Sequence, residues 1–526
     1  MAGCADLDVV NPNEADAERA VQTAGDVESL IAGSMVSWWE IAQDDGGSPS
    51  YWMANASFMM ASWPANFGML QYSKIPRVPI TNSSADGDYD YATDFAWSRA
   101  YRAIASVSQG LAAIENNESV AAELGPERVA RAQAFGKFVL GISHGTLALL
   151  YDRAFIIDET VDTEAPQEAV PYPQMLEAAL GYLDEAIAIS TQNSFTLPAS
   201  TSTWASVEVT SAELARLASS FKARLRANVA RTPAERAAVD WNQVLEDIDA
   251  GITETFNLDL GWFVAGWDGE ILAYIAFSAW QQSGIFILGM ADQSGNYQKW
   301  LDTPVLQREA VIDGENILIH TPDLRFAQGA TVDEQDANPG AYYSIPYYSV
   351  VNNWQKPERG TWRWSWYRLS KFDDFTFATA SGGGLHPLIS IEEMDLLAAE
   401  AHFRLGDPGA AAALINKTRT KFGLNPTDAA GTNTSCVPRL PSGQCGDLFE
   451  MLKWEKRMET QFTGPLNVSW YFDGRGWGDL YAGTPLQLPI PCQELQVLQM
   501  TPCYTFGGLA GEFASPGSGY SFPDEG

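Results

Sequence analysis

Long apolar runs are missing from this chain. No stretch of 18 apolar residues occurs among its 526, so no segment reads as a helix that spans a bilayer. Zinc-ligand spacing is missing too. None of the five cysteines stands in a C-x-x-C pair, and His144, His320, His386 and His402 are scattered along the chain. No G-x-G-x-x-G element or P-loop marks a nucleotide site. Positive charge is scarce: 32 Lys and Arg stand against 66 Asp and Glu, for a net charge of −34 and a pI near 4.3. Such a surface repels phosphate polyanions, which argues against nucleic acid as a partner and disfavours anionic ligands generally. Only 19% of residues are charged whereas 46% are hydrophobic, the composition of a globular chain with a large core.

Cysteine is sparse but placed tellingly. Cys436 and Cys445 flank a Pro/Ser/Gly loop, and Cys492 and Cys503 sit in a similar irregular tail. Two local disulfides are the economical reading, with three connectivities open to four cysteines. Each local bridge closes a loop of about ten residues and stabilises by roughly 2.5–3 kcal/mol on the chain-entropy account. Such bridges imply an oxidising, extracytoplasmic compartment. The odd cysteine is Cys4, which follows Ala2-Gly3 and resembles a bacterial lipoprotein processing site. That reading makes Cys4 the lipidated residue, places a signal peptide upstream, and makes residues 1–13 a tether.

What is abundant is helical periodicity. Val27, Leu30, Ile31, Ser34 and Trp38 share one face of a helix expected over 14–43. Further helices are expected over 93–117, 126–152, 172–191, 210–231 and 236–252, the last capped by Thr232 with Pro233 in its first turn. A helix pair is expected over 387–423. Ser390 with Glu393 reads as a capping box, Gly406 as a stop, and Asp407-Pro408 as the start of the second helix. Successive helices without strands between them predict a mainly α fold of tetratricopeptide-like stacked αα-hairpins. Residues 253–386 differ: glycine, aromatics and β-branched residues predict a loop-rich part with short strands. There Trp362, Trp364 and Trp366 alternate with Arg363 and Ser365, a strand-like period. Residues 44–92 read as a long aromatic loop, of the kind that usually serves function.

Several of these segments also carry a family resemblance. Ala398-Ala399-Glu400-Ala401, Leu414-Ile415-Asn416-Lys417-Thr418-Arg419, Lys456–Gly464, Trp477-Gly478-Asp479-Leu480 and Leu488-Pro489-Ile490-Pro491 resemble the conserved blocks of SusD/RagB-family lipoproteins. So do Asp6–Pro12 near the start and Asp323-Leu324-Arg325. Departures include Trp454, Thr460 and the stretch Gln499–Tyr504. The resemblance implies one SusD-like domain over 14–526, with a helical part (14–252), an irregular part (253–386) and a C-terminal helix pair and tail (387–526). It implies an outer-membrane, lipid-anchored protein on the extracellular face. Such a protein binds an oligosaccharide or another nutrient for a SusC-like TonB-dependent transporter and is not an enzyme. A peptide ligand and a scaffold for protein partners are the alternatives.

Three constellations bear on chemistry. Gly141-Ile142-Ser143-His144-Gly145 matches the hydrolase pattern G-x-S-x-G, but it lies within helical spacing, where its glycines serve close packing. Asp86-Gly87-Asp88-Tyr89-Asp90, with Asp94 beyond, resembles the start of an EF-hand whose later positions are wrong. It reads as an acidic loop with structural calcium as the lesser alternative, and no cofactor or metal is otherwise implied. The eighteen tryptophans are the strongest signal, since a flat ring stacks on the C–H face of a sugar. Trp52, Trp63, Tyr72, Tyr343 and Trp354 are the expected ligand-binding residues.

Overall fold

Helices that each bury one stripe stack in sequence. The computed structural model describes residues 23–514 together with Val21, Tyr520 and Phe522. Within that span it omits 44–47, most of 63–86, 163–164, 262–263, 273–280, 305–310, 313–314, 346–362, 374–382, 501–502 and 505–512. Helix α1 (Ala24–Gln43) packs on α2 (Gly87–Asn116) and buries Val27, Ile31, Ser34 and Trp38. The Asn117 side chain then accepts the backbone N–H of Ser119 and of Val120, capping α3 (Glu118–Leu150). Gly125, at φ 74, and Pro126 interrupt α3 after its first turns, so the helix expected from residue 126 is the longer segment beyond this break.

Next come α4 (Tyr172–Gln192), α5 (Ser211–Asn228), α6 (Trp241–Asp249), α7 (Ile391–Arg404), α8 (Pro408–Arg419) and α9 (Leu448–Glu459). Each packs on the one before it. This is the mainly α stack of hairpins that the periodicity predicts. Helix α10 (Ser469–Trp477) packs on a short helix, Pro233–Ala237.

Close packing explains the G-x-S-x-G match. A Cβ on Gly141 would lie 2.6 Å from Leu183 of α4, and one on Gly145 would lie 2.6 Å from Leu225 of α5. Ser143 and His144 between them are fully buried. His144 donates from Nδ1 to the Leu140 carbonyl at 2.8 Å and accepts the Ile157 N–H at Nε2, so it is a satisfied neutral core histidine.

Four expectations need correction. Pro387–Ile389 is not helical: it ends the strand Gly384–Ile389, which pairs antiparallel with Phe256–Leu260. A proline tolerated at the edge of a two-stranded ribbon explains this. Residues 44–92 are not simply a loop, because Ser50–Ala56 form a fully buried helix and α2 already begins at Gly87. Thr232 caps the separate helix Pro233–Ala237, while Asp240 caps α6. Arg363–Trp366 form no strand beyond an isolated bridge from Trp364 to Gly284 and are all buried, while Trp362 lies outside the described residues.

Candidate functional site

The aromatic residues singled out in the sequence sit inside the protein. Trp52 is 1% exposed, with its ring 5.3 Å from Tyr72 and 5.0 Å from Tyr471. Tyr343 is fully buried, stacks on Phe326, and donates its hydroxyl to Gln461. Trp52, Tyr72 and Tyr343 therefore pack the core and offer no open face to a ligand. Large rings gain more from burial than from exposure, and composition does not distinguish the two placements. Trp63 and Trp354 lie outside the described residues, as do Cys4 and Asp86. Gly87–Asp90 open helix α2 rather than forming a loop. Among the described residues no group of three or more His, Cys, Asp or Glu is arranged to hold a metal ion. Both cysteine pairs are bonded locally, Cys436 to Cys445 and Cys492 to Cys503.

The residues of the resemblance form a buried ionic frame. Arg325 donates to Asp323 at 2.8 Å and to Glu455 at 2.9 Å, and Tyr342 donates to Glu459 at 2.6 Å. This ties the irregular part to α9. Arg236 joins Glu400 of α7 at 2.6 Å and Asp473 of α10 at 3.1 Å, and Lys456 also reaches Asp473. Arg457 and Lys453 share Asp479. Each pair satisfies charges that would be costly to bury alone. These motifs hold elements together, and Trp477, Gly478 and Leu480 also line a cavity beside Arg475.

A polar pocket opens elsewhere, where α1 ends. Its last turn supplies Trp39, Glu40 and Gln43, and the loop Val264–Glu270 closes the other side around a cavity of about 160 Å³. That loop is shaped by its backbone. Gly261 donates to the Trp267 carbonyl at 2.9 Å and Gly269 donates to Gly261 at 2.8 Å. Gly266 has φ 106, and a Cβ there would lie 2.1 Å from the Thr201 carbonyl oxygen, so only glycine fits. Trp39 locks helix to loop through Nε1, which donates to the Asp268 carbonyl at 2.8 Å, and its ring lies 6.1 Å from Trp267.

The chemistry of the pocket is that of a hydroxyl reader. Glu40, Asp268 and Glu270 line it, with Glu40 held by Arg99 at 2.7 Å. Gln43 is 1% exposed, yet neither its amide oxygen nor its nitrogen has a hydrogen-bond partner among the described residues. A buried amide left unsatisfied is costly unless something else completes it. Carboxylates and an amide together accept and donate hydrogen bonds as a polyhydroxylated, uncharged ligand needs. The cavity has about the bulk of one sugar ring. None of these residues stands out in the sequence: Gln43 is one glutamine at a helix end, and its lack of a partner exists only in three dimensions.

The fold has known counterparts. The described residues form a stacked helical architecture with short strands at the side that is similar in fold to solved SusD superfamily proteins. A SusD superfamily protein from Bacteroides vulgatus superposes with a TM-score of 0.53 at 11% identity, covering 91% of this chain and 91% of that one. One from Bacteroides fragilis gives 0.51 at 14% identity, covering 91% and 99%. Another, from Bacteroides thetaiotaomicron, gives 0.50 at 13% identity, covering 86% and 90%. At such identities the likeness is one of fold. No family model and no curated protein sequence matches the chain.

Proposed function

We propose that the protein is a nutrient-binding member of the SusD/RagB family that captures a neutral oligosaccharide outside the cell and breaks no bond in it. The observation that carries this reading is the SusD-type fold along nearly the whole chain, in company with the uncharged, unpartnered amide of Gln43 inside an acidic pocket. Glu40, Asp268 and Glu270 accept sugar hydroxyls, and Gln43 completes the set by donating and accepting. Their negative charge turns away uronates and sulfated glycans. Cys4 carries the lipid anchor, and a SusC-like TonB-dependent transporter receives the ligand. The disulfides suit an oxidising exterior, and among the described residues no helix is long and apolar enough to cross a membrane.

Affinity electrophoresis through gels cast with neutral or acidic polysaccharides tests this. Retardation by at least one neutral glycan, and by no acidic one, is the expected result. Migration unchanged by every glycan would remove the sugar assignment and leave peptides as the ligand class to screen.

A further inference from the structure

Helix α2 reaches the pocket at Gln43 without lining it. Phe95, Arg99 and Arg102 stand four and three residues apart on α2, a spacing that puts them on one face of the helix. Arg99 Nε lies 2.7 Å from Glu40 Oε2 in the last turn of α1, and Arg102 Nη1 lies 3.9 Å from the same oxygen. The Arg99 guanidinium rests over the Phe95 ring at 4.7 Å and its side chain is 21% exposed, whereas that of Arg102 is 55% exposed. Arg99 is thus the nearer and better braced of the two.

The two oxygens of Glu40 have different surroundings. Oε2, beside Arg99, is closed off from solvent and accepts no hydrogen bond among the described residues, so charge holds it in place. The side chain as a whole stays 34% exposed and lines the pocket, and no hydrogen bond from the described residues goes to Oε1. A carboxylate pinned at one oxygen offers the other as a fixed acceptor, which spares the cost of ordering a flexible side chain when a ligand arrives. The guanidinium also offsets the charge of the carboxylate, so Glu40 reads a hydroxyl without drawing in a cation.

We propose that Arg99 is a specificity-determining positioning residue of this pocket: it fixes Glu40 as an acceptor and sets the preference for a neutral sugar over an amino sugar. This rests on the reading of the pocket as a sugar site. Arg99 is not among the residues that line the pocket, so it acts through Glu40. Without the guanidinium, Glu40 is free to turn both oxygens to the pocket and adds an unmatched negative charge to a wall it shares with Asp268 and Glu270. An ammonium in place of a sugar hydroxyl then gains a partner, and a neutral ring loses a fixed one.

Isothermal titration of Arg99→Gln, Arg99→Lys and Arg102→Gln in the whole chain tests this. The probes are the neutral glycan retained in the affinity gels and the same glycan with a ring hydroxyl replaced by an amine. Arg99→Gln is expected to weaken the neutral glycan and to move the ratio of the two affinities toward the aminated one by roughly fivefold, the upper scale of a partly exposed ion pair. Arg99→Lys keeps the charge and should restore most of the wild-type ratio, even as the lost stacking on Phe95 lowers both affinities. Arg102→Gln, at the longer distance, should move the ratio less. A purely structural Arg99 would lower both affinities together with Tm and leave their ratio unchanged, and that result would overturn the proposal. So would an equal shift in the ratio from Arg99→Lys or Arg102→Gln. Retardation of the wild-type protein by no neutral glycan is a different failure, which removes the sugar assignment and this proposal with it.

Discussion

Single buried side chains set how this protein responds to acid. Burial pushes His144 down to about 4 and His386 to about 3, far below the ordinary histidine value near 6.5. The unfolded chain therefore takes up two protons that the folded protein refuses. Stability is full above about pH 6.5 and falls as the pH drops toward 4, at about 1.4 kcal/mol per unit for each histidine. Burial alone would raise the Glu400 carboxyl, but the Arg236 guanidinium outweighs it and holds the group well below the usual range. Its stabilising contribution is present above about pH 4.5 and is lost as pH falls further, extending the decline. Urea unfolding between pH 8 and 4 checks this, and a His144→Asn variant should show a flatter curve over pH 6.5–4. Removing the carboxylate outright is harsher. Glu400→Ala leaves the buried Arg236 with only Asp473, which Lys456 shares, and should cost about 3–5 kcal/mol at pH 7.

At the scale of elements, local signals are the legible ones. Ser390, Asp407 and Thr232 were readable as caps because each lies within three residues of the N–H it accepts, those of Glu393, Ala410 and Glu235. The other half of the expected capping box was not readable. Glu393 does not turn back to Ser390; it takes Arg224, 169 residues away, at 2.7 Å. Denaturant unfolding separates the two roles: Ser390→Ala should cost about 1 kcal/mol, and Glu393→Ala about 3–5 kcal/mol. The helix interfaces behave likewise. Gly141→Leu drives a side chain into Leu183 and should destabilise by about 1–3 kcal/mol or more, whereas Ser143→Ala touches no ligand and leaves binding intact.

The whole molecule explains where reading the chain failed. Periodicity revealed the helices, since an amphipathic stripe is written in local spacing. The proposed ligand site is not so written. Trp52, Tyr72 and Tyr343 look like a binding platform in a list of residues, and the fold turns all three inward. Gln43 looks like nothing, and it lies buried without a hydrogen-bond partner among the described residues, beside Glu40 and Asp268. A frame of matched buried charges and a stacked helical core hold that mismatch in place. Such a residue has a thermodynamic signature, because a site tuned for ligand is unsatisfied without it. Replacing Gln43 by leucine removes an unsatisfied amide, so the free protein should be equally stable or more so.

Isothermal titration of a glycan retained in the affinity gels, against the wild-type protein and Gln43→Leu with Tm recorded for both, tests this most directly. The expected result is binding weakened by about tenfold or more while Tm holds or rises, as loss of a buried hydrogen-bonding pair predicts. A Gln43→Leu protein that binds the glycan as tightly as the wild type would contradict the pocket at the end of α1 as the sugar site.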